Sequence, residues 1–294
     1  MFSGMIDNFI TSVSEALAGF GSKMVDQAME FWAKACEIVI LLCSQNPQTS
    51  GGWSYIQSAY DYFHPLAAII IVCWFYIGWM RETTDLRKMG KLESWLPLFI
   101  RFALAAVFCS NALDWSARFM GAAAQTVAEL GVQTLAPSYT SVNDLFMDAV
   151  QSQSGSDALA TGFVLAILGL LGWAAIIVCS FMIIMTGVKR IFNVLIGIPF
   201  AGIALATFAG GERLNQTAIS WVKTYLGYVL EVIVIVFALN LSFHLFGSGS
   251  SLLDIELSGA SLALGTVATV VLPLVATTAC VSGAEMVTRK WLGL

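Results

Sequence analysis

The chain has 294 residues, of which 58% are hydrophobic and 11% charged, with a mean hydropathy of +0.80 and a formal net charge of -5. A soluble domain of this size cannot hide that much apolar surface, so lipid is the expected solvent for most of it. The acidic balance excludes a broadly basic nucleic-acid-binding surface.

The first basic residue is Lys23, and no short apolar core with an A-x-A site follows it. Insertion is therefore expected to be driven by internal spans rather than by a cleaved signal. Phe2, Met5, Ile6, Phe9, Ile10, Val13 and Leu17 recur at helical spacing opposite Ser3, Asp7, Thr11 and Glu15. After Gly19-Phe20-Gly21 the pattern resumes, with Asp26, Gln27, Glu30, Lys34 and Glu37 opposite Val25, Met29, Trp32, Cys36 and Val39. Two amphipathic helices on the membrane surface or against neighbouring subunits are expected here, with an interfacial anchor as the simpler role.

Residues 44–53 (SQNPQTSGGW) read as a loop. The run 63–80 is apolar, has Pro65 near its first turn, and is the first predicted span. The segment RETTDLRKMGKLE then carries Arg81, Arg87, Lys88 and Lys91, the densest basic cluster, which belongs in the cytoplasm. A second span over 95–113 returns outside. Residues 114–157 are acid-rich and external by the same rule, with a surface helix over 115–135 stopped by Pro137 and a loop at 151–157.

The run 159–186 holds no charge and ends at Lys189-Arg190. Its length exceeds the roughly 20 residues that cross a bilayer core of about 30 Å, and the doublet makes it a third span running inward. Residues 191–209 (IFNVLIGIPFAGIALATFA) are apolar but interrupted by Gly197, Pro199 and Gly202. If they crossed, the loop 247–259, with Asp254, Glu256 and no basic residue, would face the cytoplasm. A re-entrant hairpin that keeps Arg213 and Lys223 inside fits better, lined by protein or water. Spans over 221–246 and 262–281 follow, and Arg289 and Lys290 place the C-terminus inside.

The expected architecture is all-α and polytopic, with about five transmembrane helices, one re-entrant or short hairpin segment and an amphipathic N-terminal region. It divides into external N-terminal helices (1–52), two spans around the basic loop (53–113), an external loop and helix (114–158) and a central membrane core (159–294). Trp53, Trp79, Trp95, Trp115, Trp221 and Trp291 fall near predicted span ends, where interfacial Trp belongs. The orientation anchors are Arg87, Lys88, Lys91, Lys189 and Arg190.

Two ionisable residues interrupt the apolar runs. Glu231 falls roughly 13 Å into its span, near the bilayer centre, and Arg101 about two turns into the second. A lone charge there costs about 2.5–3.5 kcal/mol on insertion scales, so each should pair or face water. Three roles are open: an Arg101–Glu231 pair that fixes helix register, a water-filled pathway or subunit contact, and a proton relay with Lys223 or His244. The histidines, His64 and His244, belong to no H-E-x-x-H motif, and no G-x-x-x-x-G-K-[ST] loop exists, so no enzyme, metal or cofactor is expected beyond bound phospholipid. The six cysteines (Cys36, Cys43, Cys73, Cys109, Cys179, Cys280) form no C-x-x-C and read as small buried hydrophobes. Ala276, Ala279 and Gly283, and Gly162 with Ala166, form small-residue faces that let helices approach closely.

This layout, with the stretches VKRIFNVLIGIPFAGIALATFAGG (188–211) and WVKTYLGYVLEVIVIVFALN (221–240), resembles the TrbL-like polytopic subunits of type IV secretion and conjugation machines. The resemblance implies a non-catalytic channel or scaffold subunit of the bacterial cytoplasmic membrane, with its N-terminus outside and C-terminus in the cytoplasm. Its implied partners are other secretion-system subunits including cytoplasmic ATPases, further copies in a homo-oligomeric ring, membrane lipid, and a translocated DNA or protein substrate. A secondary transporter or ion-conducting protein with a midplane site near Glu231 is the alternative, because broken helices build such sites.

Overall fold

A computed structural model describes residues 2–46, 48, 51–84, 96–130, 142–151, 156–210, 215–246 and 260–293. The basic-loop residues Arg87, Lys88 and Lys91, together with Trp95, Pro137, Arg213, Asp254 and Glu256, lie outside the described residues. The chain folds into α1 (Phe2–Ser44), α2 (Trp53–Thr84), α3 (Leu96–Glu129), α4 (Val142–Gln151), α5 (Ser156–Gly197), α6 (Ala201–Ala206) with a 3-10 turn (Thr207–Gly210), α7 (Gln216–Phe246) and α8 (Ala260–Leu292). No strand occurs among the described residues. Five helices, within α2, α3, α5, α7 and α8, are long and apolar enough to cross a membrane. Large apolar side chains such as Ile69, Val72, Phe99, Phe163, Leu171, Phe181 and Met185 are exposed, as suits an all-α multi-pass membrane protein whose outer faces meet lipid.

Packing divides the chain into two compact units, each drawn from separated stretches. The first comprises Met1–Leu41, Val132–Gly187 and Ile235–Gly283, the second Leu42–Gly131, Val188–Val234 and Ala284–Leu294.

In the first unit α1 is one helix of 43 residues, not two. The glycines that suggested a break serve close approach instead. A Cβ on Gly169 would lie 2.7 Å from the Cα of Gly21, and one on Gly162 would lie 2.7 Å from the carbonyl oxygen of Ser14. Further along, Gly187 abuts Val39, and Phe31 meets Phe181 at 5.5 Å between ring centroids. Residue numbers rise together on both helices, so α1 runs parallel to the uncharged run of α5. Gly162 does serve a close contact, and its neighbour is α1. By contrast, nothing within 4 Å would meet a Cβ on Gly283. The predicted apolar face is buried in the second half of α1, with Val25, Trp32, Cys36 and Val39 at most 1% exposed, but not in the first, where Phe9 is 70% exposed and Ser14 and Ala18 face inward instead.

The helix α4 had no counterpart in the sequence reading. Val142, Phe146, Ala149 and Val150 bury one side of it, and Ser22 of α1 donates to Asn143 Oδ1 at 2.9 Å. Asp26 accepts from the backbone N–H of Val142, the first residue of α4, where an unpaired N–H favours an anion. Burial is the largest influence on this carboxyl and holds it above its ordinary value, with Glu30 and Asp144 adding to the rise.

In the second unit α2 begins ten residues before the predicted span, because Ile56 and Tyr60 continue a buried face. Pro65 is thus inside the helix rather than in its first turn. Likewise α3 runs through the expected boundary at Leu113. Ala112, Ser116, Ala117, Ala123, Ala124 and Val127 keep one face buried, and Asp114 and Arg118 ride outside as an exposed pair at 2.8 Å. The predicted second span and surface helix are one helix, and Trp115 falls within it rather than at an end. The third span also continues past Lys189-Arg190 to Gly197.

The predicted interruption does occur. After Gly197 a turn closed by Ala201 N–H donating to Ile198 O at 3.0 Å leads into α6. The ten residues 201–210 measure about 15 Å as helix, too short to cross alone. Ala201, Leu205, Ala206 and Ala209 are buried with Tyr60, Ile71, Ala105 and Cys109. Tyr60 Oη donates to the carbonyl of Cys109, Cys109 Sγ to that of Gly202 at 3.1 Å, and Tyr225 Oη to that of Ser116 at 3.0 Å. A Cβ on Gly202 would stand 3.3 Å from that of Ala67, which explains a glycine there.

Candidate functional site

One group of charges in the second unit lies where the ends of α5 and α8 come near the middle of α7. Adjacent residues on a helix differ by about 100° in direction, and the Lys189-Arg190 doublet splits accordingly. Lys189 points outward and its Nζ lies 3.3 Å from Glu285 Oε2, while Arg289 Nη2 lies 2.8 Å from Glu285 Oε1. All three side chains are at least 32% exposed. Such an exposed network is worth at most about 1 kcal/mol per pair.

Arg190 turns inward and is 2% exposed. From sequence it counts with Lys189 as an orientation anchor, with no expectation of this burial. It stands seven residues after Ile183 and fourteen after Ile176, both fully buried, so it occupies the inner face of α5. Its Nε, Nη1 and Nη2 make no hydrogen bond among the described residues. Glu231, 6% exposed, is the carboxylate that acts most strongly on it, and Arg190 is the cation that acts most strongly on Glu231. Glu285, Lys189 and Arg289 act on Glu231 after that.

Glu231 therefore belongs with the charged ends of α5 and α8 rather than with an uncharged midplane. Its depth was counted from the start of its own helix, but α7 has 31 residues, about 46 Å. The midpoint of so long a helix is not tied to the bilayer centre. Arg101, half-buried on α3, is not among the charges acting on Glu231. Lys223 is exposed, and it and His244 stand roughly 12 and 20 Å from Glu231 along α7. The signal that would have found Arg190 is the seven-residue repeat of buried positions on α5.

Two cavities lie within the second unit. One of about 100 Å³ is lined by Arg190, Cys43 and Gln45 and by apolar side chains including Leu42, Met120, Leu195 and Val229. The other, about 240 Å³, is apolar and lies among α3, α6 and α7, beside the stacked rings of Trp221 and Tyr225. The six cysteines are free; Cys36, Cys43, Cys109 and Cys179 are buried, whereas Cys73 and Cys280 are exposed. Burial pushes the Cys43 thiol up to about 11, so at neutral pH it is uncharged. The arrangement offers one buried cation, a neutral thiol and an apolar wall, suited to holding an anionic group. Comparison of the chain with family models, with curated proteins and with solved structures finds no match in any of the three.

Proposed function

We propose that the chain is a non-catalytic channel or scaffold subunit of a type IV secretion machine, assembled in several copies in a bacterial cytoplasmic membrane. The observation that carries this reading is the outer face of α1. Lys23, Gln27, Glu30, Lys34 and Glu37 recur at i, i+4, i+7, i+11 and i+14, and all are exposed. They lie on a helix that runs parallel to the most apolar stretch of the protein. Lipid is a poor cover for four charges on one face, each costing about 2.5–3.5 kcal/mol at depth. Water or another subunit must cover it, as in a ring whose copies share an aqueous path. The segments that carry the TrbL resemblance also supply much of the buried core of the second unit, through Val194, Ile198, Ala201, Leu205, Tyr225 and Val229.

Orientation follows from the basic residues, with Lys189, Arg289 and Lys290 in the cytoplasm and the N-terminus outside. The Lys189–Glu285 contact supports the hairpin reading of 191–209. With α7 and α8 each crossing once, it leaves no crossing for the segment between. The unpartnered Arg190 near Glu231 favours a second reading, a transporter or ion-conducting protein with its site there.

The test is DNA transfer from donor cells lacking only this gene, complemented with wild type or with Glu30→Leu/Lys34→Leu/Glu37→Leu. Loss of transfer restored by wild type but not by the stripe variant, at equal membrane levels, is the expected result. Unchanged transfer without the gene rejects the secretion reading, and solute flux that depends on Arg190 favours the second.

A further inference from the structure

We infer that the Arg190 cavity binds the phosphodiester headgroup of an anionic membrane phospholipid. A buried guanidinium with no hydrogen-bond partner is costly, because arginine cannot shed its charge and each unsatisfied donor carries a desolvation penalty. Glu231 supplies a countercharge but no hydrogen bond to it. Within the cluster Lys189, Arg190 and Arg289 face Glu231 and Glu285, which leaves one positive charge in excess. Cys43 adds no negative charge.

A single monoanion is therefore the complement, and guanidinium and phosphate match in geometry. One water needs roughly 10–15 Å³ of such space, so about 100 Å³ admits a group of several heavy atoms. The wall decides between a lipid and a free ion. Apart from Arg190, Cys43 and the exposed Gln45, the cavity is apolar, which suits a phosphodiester carrying acyl chains better than hydrated inorganic phosphate. This site does not depend on the secretion reading.

The test uses the full chain in nanodiscs of phosphatidylcholine with a minor fraction of phosphatidylglycerol, re-extracted in mild detergent, with bound lipid counted by mass spectrometry. Wild type should retain phosphatidylglycerol roughly tenfold over its share, the factor expected of one charge-assisted contact. Arg190→Gln should lose that enrichment, and Lys223→Gln, at an exposed lysine outside the cluster, should keep it. Ala124→Leu, which fills the cavity while leaving the guanidinium in place, should lose it as well and serves if Arg190→Gln does not fold. Excess inorganic phosphate should not displace the lipid. Equal retention of both lipids by wild type, enrichment that survives both cavity variants, or displacement by inorganic phosphate would each overturn the assignment.

Discussion

The two units are held together by different chemistry. In the first, backbone meets backbone where Gly21, Gly162 and Gly169 let α1 and α5 touch, and α4 is seated by polar contacts to Ser22 and Asp26. In the second, tyrosine hydroxyls tie α2 and α7 to carbonyls of α3, and two opposite charges are buried without a direct bond. Close packing of small residues gives van der Waals stabilisation without a titratable group. The first unit should therefore respond to added volume and the second to altered charge or lost hydrogen bonds.

The largest effect is expected from Glu231→Gln. It leaves Arg190 buried without its main countercharge and should lower the unfolding free energy in detergent by about 3 kcal/mol. Next comes Gly169→Val, whose Cβ would stand under 3 Å from Gly21 backbone that cannot move aside. It should cost about 2 kcal/mol, with little change for Gly283→Val, whose surroundings are open. Tyr225→Phe keeps the stack on Trp221 but removes the bond to Ser116, for a loss of about 1 kcal/mol in the same assay.

The smallest effect concerns pH. The Asp26 carboxyl is raised in the folded state, so its contribution is fully present below the ordinary value of 3.8 and is lost as pH rises through the folded value. Asp26→Asn should melt higher than wild type at neutral pH, and the gap should close as pH falls. A gap that is constant with pH would remove Asp26 as its source.

Much of this was legible in the residues themselves. Long, strongly apolar runs mark the five spans, and Gly197 with Pro199 marks the end of α5 because proline cannot donate to a helix. The inner face of the second half of α1, from Val25 to Val39, followed from periodicity, whereas in the first half the buried positions are Ser14 and Ala18 rather than the larger apolar residues. What failed was anything that depends on a partner. Gly19 and Gly21 signal a break or a close crossing equally well, and only α5 decides. Lys189-Arg190 reads as a pair of anchors until the helix is seen to continue, which carries one residue out and the other in. Arg101 was the partner expected for Glu231 and Arg190 was not, since sequence spacing does not report which helices are neighbours.

The most direct measurement is a double-mutant cycle on Arg190→Gln and Glu231→Gln, read from chemical unfolding in mild detergent. If the second unit is organised around these two charges, replacing both by neutral groups should cost at least about 1 kcal/mol less than the sum of the single losses. Additivity within about 0.5 kcal/mol would mean that the two residues do not act on each other, and would contradict the assignment of this pair as the centre of the site.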